Sequence, residues 1–291
     1  MRRRTNLSGV DFRGQIEAGL TSELSTAMSS ESLLSFASDD VVAIVGPIIT
    51  YWVASGFFAT LDTLKHPATE KYRIHPEEEL TKNRVGRLDV FKGVVLQQIA
   101  QAGLAFVFLW LQGTKELDER DTLFDNYLLP ALKFMMGMII MDTWQYFLHR
   151  LFHQNKWLYR NIHAWHHTLY VPYAYGALYN NPIEGFLFDS LGAAAAAELS
   201  GMTVRGSIFF WCFSTLKTVD DHCGYNFPYD PLQRFFGNNA FYHDLHHQLH
   251  GLKVNFSQPY FTFWDRILGT YEDPVQAAIK HNEKKAAQKS Q

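Results

Sequence analysis

The sequence predicts an all-α protein: a multi-span integral membrane helical bundle with a cytosolic helical cap that carries a histidine-ligated dimetal site. Three observations lead there. Two runs of 21 residues, 41–61 and 93–113, hold no charged side chain. Charged residues make up 19% of the chain, below the roughly 25% usual in soluble domains. Ten of the 13 histidines fall between positions 149 and 250, in regularly spaced groups.

Taken in order, residues 1–40 are rich in Ser and Thr and read as a polar, partly flexible N-terminal tail. Arg2, Arg3 and Arg4 are followed by no apolar run, so no cleaved signal is expected. Residues 41–142 are expected to form transmembrane helices. At 1.5 Å per residue the run 41–61 spans about 31 Å, one hydrocarbon core, and Gly46 and Pro47 are tolerable inside it. In 93–113, Gln97, Gln98 and Gln101 point to a face packed on other helices. A third segment, 127–148, carries Lys133 near one end, where it can snorkel, and Asp142 shortly before His149. Residues 143–275 form the expected catalytic region. Within it, 183–219 is apolar but broken by Asp189, Glu198, Gly201 and Arg205, which suits a short hairpin or two interfacial helices. Residues 276–291 read as a charged C-terminal tail.

Charge sets the orientation. Segment 62–92 holds seven Lys and Arg, whereas 114–125 holds two against five acids. The first should be cytosolic and the second lumenal, so the chain from His149 onward starts on the cytosolic side. A net charge of −3 gives no case for nucleic acid. Two cysteines, Cys212 and Cys223, cannot build a disulfide framework.

The histidines form four stretches: His149-x-x-x-His153, His163-x-x-His166-His167, a single His222, and His243-x-x-His246-His247. On a helix, residues at i, i+3 and i+4 share one face. Each stretch can therefore aim its imidazoles at one point, and nine such side chains exceed what one ion accepts, so two metals are expected. Imidazole suits iron, copper and zinc. Asp220, Asp221, Asp244 and Glu184 are placed to accept the second ring N–H of a ligand, or else to cap and pair at the surface. His250 continues the face of His243 and His246 at i+7 but lies outside the repeated pattern; His66, His75 and His281 read as ordinary histidines. Position 150 is Arg, so H-E-x-x-H is absent; C-x-x-C and a strand-to-helix G-x-G-x-x-G are absent too. A histidine-based metal transporter would need its polar groups at mid-membrane depth, whereas these follow the third span. A bis-histidine haem bundle leaves the paired motifs unexplained.

In order and spacing these motifs resemble the fatty acid hydroxylase superfamily of membrane di-iron enzymes, over roughly 143–271. Within it, the stretches Asn180 to Gly185, Lys217 to Gly224, Tyr242 to Gln248, Asn255 to Pro259 and Trp264 to Tyr271 look like the sphingoid base C4-hydroxylases. Sterol C4-methyl oxidases share much of the region, so a C4-methylsterol oxidase or a fatty acyl or ceramide 2-hydroxylase is the alternative. Some members place a second histidine four residues after the single one; here that residue is Asn226. The resemblance implies two non-haem iron ions held by the nine histidines, with dioxygen as co-substrate. It implies hydroxylation at C4 of sphinganine, free or within ceramide, to give 4-hydroxysphinganine. Electrons are expected from cytochrome b5 and its reductase, so that NAD(P)H acts only indirectly. His66-Pro67-Ala68-Thr69 does not match the haem motif of a fused cytochrome b5, which makes the donor a separate protein. Ceramide synthase or a second copy is a further candidate partner, and the endoplasmic reticulum membrane is the implied location.

Overall fold

A computed structural model describes residues 38–112, 122 and 124–289. Of the tail expected at 1–40, residues 1–37 lie outside the described residues, as does most of the loop expected to be lumenal, while Asp39 and Asp40 already belong to a helix. Among the described residues there is no strand, only an isolated antiparallel bridge between Arg73 and Tyr225.

Helix α1 (Asp39–Leu64) starts where Ser38 Oγ accepts from Val41 N at 3.4 Å and where Asp39 and Asp40 face the positive end of the helix dipole. Pro47 is accommodated inside it, and Thr50 Oγ1 donates to the Gly46 carbonyl at 2.9 Å. Helix α2 (Arg87–Gln112) packs on α1, with Trp52 Nε1 donating to Gln98 Oε1 at 2.9 Å. The two are long and apolar enough to cross a membrane, yet only 28% and 17% of their most apolar stretches are buried. Val53, Phe57, Phe106 and Trp110 are exposed, while Gln97 and Gln98 are buried. Apolar side chains outside and amides inside are the reverse of a soluble core helix and fit a hydrocarbon surround.

The third expected span is helix α3 (Leu129–Gln154). By length and composition it does not join the membrane-crossing candidates: Asp142, Gln145 and His149 are buried along it, and its last turns belong to the histidine site. Asp142 accepts Tyr260 N at 2.9 Å and Phe261 N at 2.6 Å, tying this helix to the late part of the chain. Residues 183–219 turn back at Gly201, whose φ of 67° is the left-handed conformation that glycine adopts without cost. The arms do not simply pair with each other. Helix α4 (Leu191–Ser200) packs on α3, and α5 (Val204–Asp221) packs on α1. Residues 276–289, expected as a tail, lie in α6 (Pro274–Lys289), which buries Ala277.

The segment between α1 and α2 folds back onto the histidine region. Arg84 N donates to Thr168 O at 2.8 Å, Ile74 N to Gly224 O at 2.9 Å, and Asn83 Nδ2 to Val171 O at 3.0 Å. The seven-cation loop and the histidines therefore share one end of the long helices.

Candidate metal centre

The nine histidines gather into two adjacent groups. His149, His153, His163, His167 and His246 form one, and His166, His222, His243 and His247 the other; within each, the potential ligand atoms lie within 4.8 Å of one another. The rings of His167 and His247 bring the groups within 4.9 Å, centroid to centroid.

Local structure explains the partition. His149 and His153 lie one turn apart near the end of α3, and His243 and His247 one turn apart on the short helix Ala240–His247. His163–Thr168 is a 3₁₀ turn, where the sequence suggested an α-helical face. Neither H-x-x-H-H motif serves a single point. The i, i+4 pair stays together, while the middle histidine crosses over: His166 joins the pair His243 and His247, and His246 joins His163 and His167. The two motifs thereby interlock, which binds the two halves of the region together.

The hydrogen bonds decide whether these rings suit a metal. His149 Nδ1 meets Phe256 O at 2.8 Å, His222 Nδ1 meets Thr218 O at 2.8 Å, His246 Nδ1 meets Val254 O at 2.8 Å, and His247 Nδ1 meets Leu169 O at 2.9 Å. His166 Nδ1 faces Tyr179 O at 3.4 Å, and His163 Nδ1 meets Glu184 Oε1 at 2.7 Å. The five carbonyl oxygens can only accept, and Glu184 accepts likewise when ionised, so the proton sits on Nδ1 and the lone pair on Nε2. The Nε2 atoms then converge bare: His163 on His153 at 2.8 Å, His167 on His163 at 3.0 Å, His246 on His153 at 3.0 Å, and His243 on His222 at 3.1 Å. Lone pairs facing one another at such distances repel, and a cation between them turns repulsion into ligation. Burial also keeps the rings neutral, pushing His166 down to about 3 and His222 and His246 to about 4. The donor set therefore fits two ions with imidazole preference, iron among them.

The expected supporting residues divide. Glu184 touches His163. Asp244 turns away from the histidines to His75 Nε2, at 2.9 Å, whose Nδ1 meets Glu79 at 2.8 Å. Asp220 accepts from Gln233 Nε2 at 3.0 Å, and Asp221 pairs with the fully buried Lys217 and accepts from Asn238 Nδ2 at 3.0 Å. Asn226 is exposed, its main-chain N bonded to Tyr72 O at 2.8 Å. His250 stacks on His281 with centroids 4.3 Å apart, because the helix ends at His247 and the i+7 face does not continue.

Sequence reasoning missed Asp265. It is fully buried and accepts from Phe256 N at 3.0 Å, Ser257 N at 2.7 Å, Thr270 Oγ1 at 2.6 Å and Tyr242 Oη at 2.5 Å. It thereby fixes the loop whose Phe256 carbonyl orients His149. The only signal for it was its place in the stretch Trp264 to Tyr271.

Two cavities meet at this centre. A small one, about 40 Å³, is lined by His163, His166, His222 and His243. A larger one, about 370 Å³, runs between the long helices past Ile48, Leu104, Phe108 and Leu191. Gln145, Asp189 and Thr218 line both.

Comparison with known proteins assigns the chain to a family. The fatty acid hydroxylase family model matches residues 134–270. A sphingolipid C4-hydroxylase from Schizosaccharomyces pombe is 45% identical over 84% of this chain and 92% of its own. A sphinganine C4-monooxygenase from Arabidopsis thaliana is 49% identical over 82% of this chain and 90% of its own. A very-long-chain aldehyde decarbonylase from Oryza sativa is 47% identical over 81% and 90%. No solved structure matches the chain. The chain belongs to the fatty acid hydroxylase family.

Proposed function

We propose that the protein is a membrane monooxygenase that hydroxylates C4 of sphinganine to give 4-hydroxysphinganine. Relatives at 45–49% identity named for this reaction support the substrate. The observation that carries the chemistry is the convergence of nine imidazole Nε2 atoms, six of them on rings whose Nδ1 faces an oxygen elsewhere. All nine histidines are assigned as ligands of two iron ions, five on one and four on the other. When bound, the irons supply activation of dioxygen, which a C–H bond with no acidic proton requires.

The chain's own residues prepare that chemistry. The carbonyls of Phe256, Thr218, Val254 and Leu169 hold ring tautomers and orientations, and Glu184 makes His163 a stronger donor. The apolar cavity between the helices receives the hydrocarbon chain and excludes water from the small cavity beside the histidines.

Cytochrome b5 and its reductase are the proposed electron source, approaching from the cytosol at an endoplasmic reticulum membrane. The packing of the cation-rich 62–92 segment against the histidine region favours that side. Expression in a host that lacks trihydroxy long-chain bases tests the function. Lipid mass analysis should reveal 4-hydroxysphinganine in the host, and purified protein should turn over sphinganine but not a C4-methylsterol. A host that stays free of trihydroxy bases, or turnover of the methylsterol alone, contradicts the reading.

A further inference from the structure

The hydroxylated carbon lies close to the polar end of a sphingoid base. The 2-amino nitrogen is three bonds from C4, roughly 3–4 Å. An enzyme selecting C4 must therefore grip that end beside its metals, and the grip has to sit where the chain cavity opens onto the histidines. Three side chains stand at that junction, Gln145, Asp189 and Thr218. Two of them are engaged within the protein. Thr218 Oγ1 donates to Ser214 O at 2.9 Å, and Gln145 Nε2 lies 3.4 Å from Phe188 O. Asp189 is the single acid lining both cavities.

Local structure aims it there. Asp189 belongs to a π-helical turn, Phe186–Ser190, set between the short helix Pro182–Gly185 and α4. Such turns rotate side chains out of the α-helical register and recur at functional sites. Trp144 Nε1 donates to the turn's Leu187 carbonyl at 2.8 Å. Among the described residues, the Asp189 carboxylate has one hydrogen bond, from Gln101 Nε2 to Oδ2 at 3.2 Å. A carboxylate bordering an apolar cavity with one amide donor is poorly solvated, and a cation delivered by the substrate answers that deficit.

We propose that Asp189, oriented by Gln101, binds the 2-ammonium group of the free sphingoid base at the junction of the two cavities, so that C4 is held against the metal centre. This rests on the C4-hydroxylation reading. It identifies the free base, rather than its N-acylated form, as the substrate that uses Asp189.

The test is steady-state kinetics of the iron-loaded full chain in detergent or nanodiscs, with sphinganine and N-acetylsphinganine compared. Asp189→Asn keeps the shape and removes the charge. Its kcat/KM for sphinganine should fall at least ~10-fold, mainly through KM, as expected for a lost charged hydrogen bond. N-acetylsphinganine turnover should stay within twofold, iron content should stay at wild-type level, and sphinganine product should show hydroxyl at carbons beside C4. Unchanged KM and product position, or an equal loss on both substrates, overturns the proposal. If Asp189→Asn does not accumulate, Asp189→Glu takes its place: moving the carboxylate one methylene should shift the hydroxylated carbon, and strict C4 product at unchanged KM overturns the proposal. Wild-type protein that makes no 4-hydroxysphinganine contradicts the functional reading itself, whereas active wild type with an insensitive variant contradicts only the role of Asp189.

Discussion

At the scale of single residues, function depends on which nitrogen of each ring carries the proton. Glu184 is the one carboxylate among the Nδ1 partners; the others are main-chain carbonyls. Glu184→Ala removes the acceptor and frees the His163 tautomer, so iron affinity should fall about 10- to 100-fold, measured by competition with a chelator. His75 permits a different test. Burial alone would lower its pKa, but the Asp244 and Glu79 carboxylates outweigh that and raise it. Its contribution to stability is therefore complete below the unfolded pKa and lost as pH rises through the folded one. His75→Ala should lower Tm by on the order of 2–4 °C at pH 6, and the difference from wild type should shrink by pH 8.5. A gap that widens with pH would mean the ring is held neutral instead. Little of this level was legible in the sequence. The ring types and spacings were written there, but carbonyl acceptors leave no side-chain trace, and the partner of Asp244 lies 169 positions away.

At the scale of elements, close approach of backbone sets the metal site. A Cβ on Gly251 would lie 1.8 Å from the carbonyl oxygen of Leu245, between His243 and His246. Gly251→Ala must therefore displace the helix Ala240–His247 at its ligand end. The expected cost is about 1–3 kcal/mol of stability with a clear drop in iron content, both readable by thermal shift and metal analysis. Asp265 anchors the neighbouring loop through four donors, and Asp265→Asn should likewise release His149 and lower iron retention more than it lowers expression. Helical spacing correctly brought His149 to His153 and His243 to His247, because i and i+4 share a face. It could not foresee the crossing of His166 and His246, since that depends on how two motifs 80 residues apart meet. The π turn at Phe186–Ser190 was equally hidden, for Asp189 marked only a polar break in an apolar run and nothing in the residue types specified the wider turn.

At the scale of the molecule, two apolar helices turn exposed faces outward and amides inward, while the loop joining them closes over the histidines. The long uncharged runs made this outer architecture legible. The third span was less so, because α3 serves both the bundle and the site and carries the buried polar groups that site requires. The account's central claim is that the nine histidines hold two ions, divided five and four. Its most direct test is iron analysis of purified protein reconstituted with ferrous ion, wild type beside His246→Ala and His166→Ala. The account predicts close to two ions per chain in the wild type and about one in each variant, with hydroxylation abolished in both. One ion or none in active wild-type protein, or full activity retained by either variant, would contradict it.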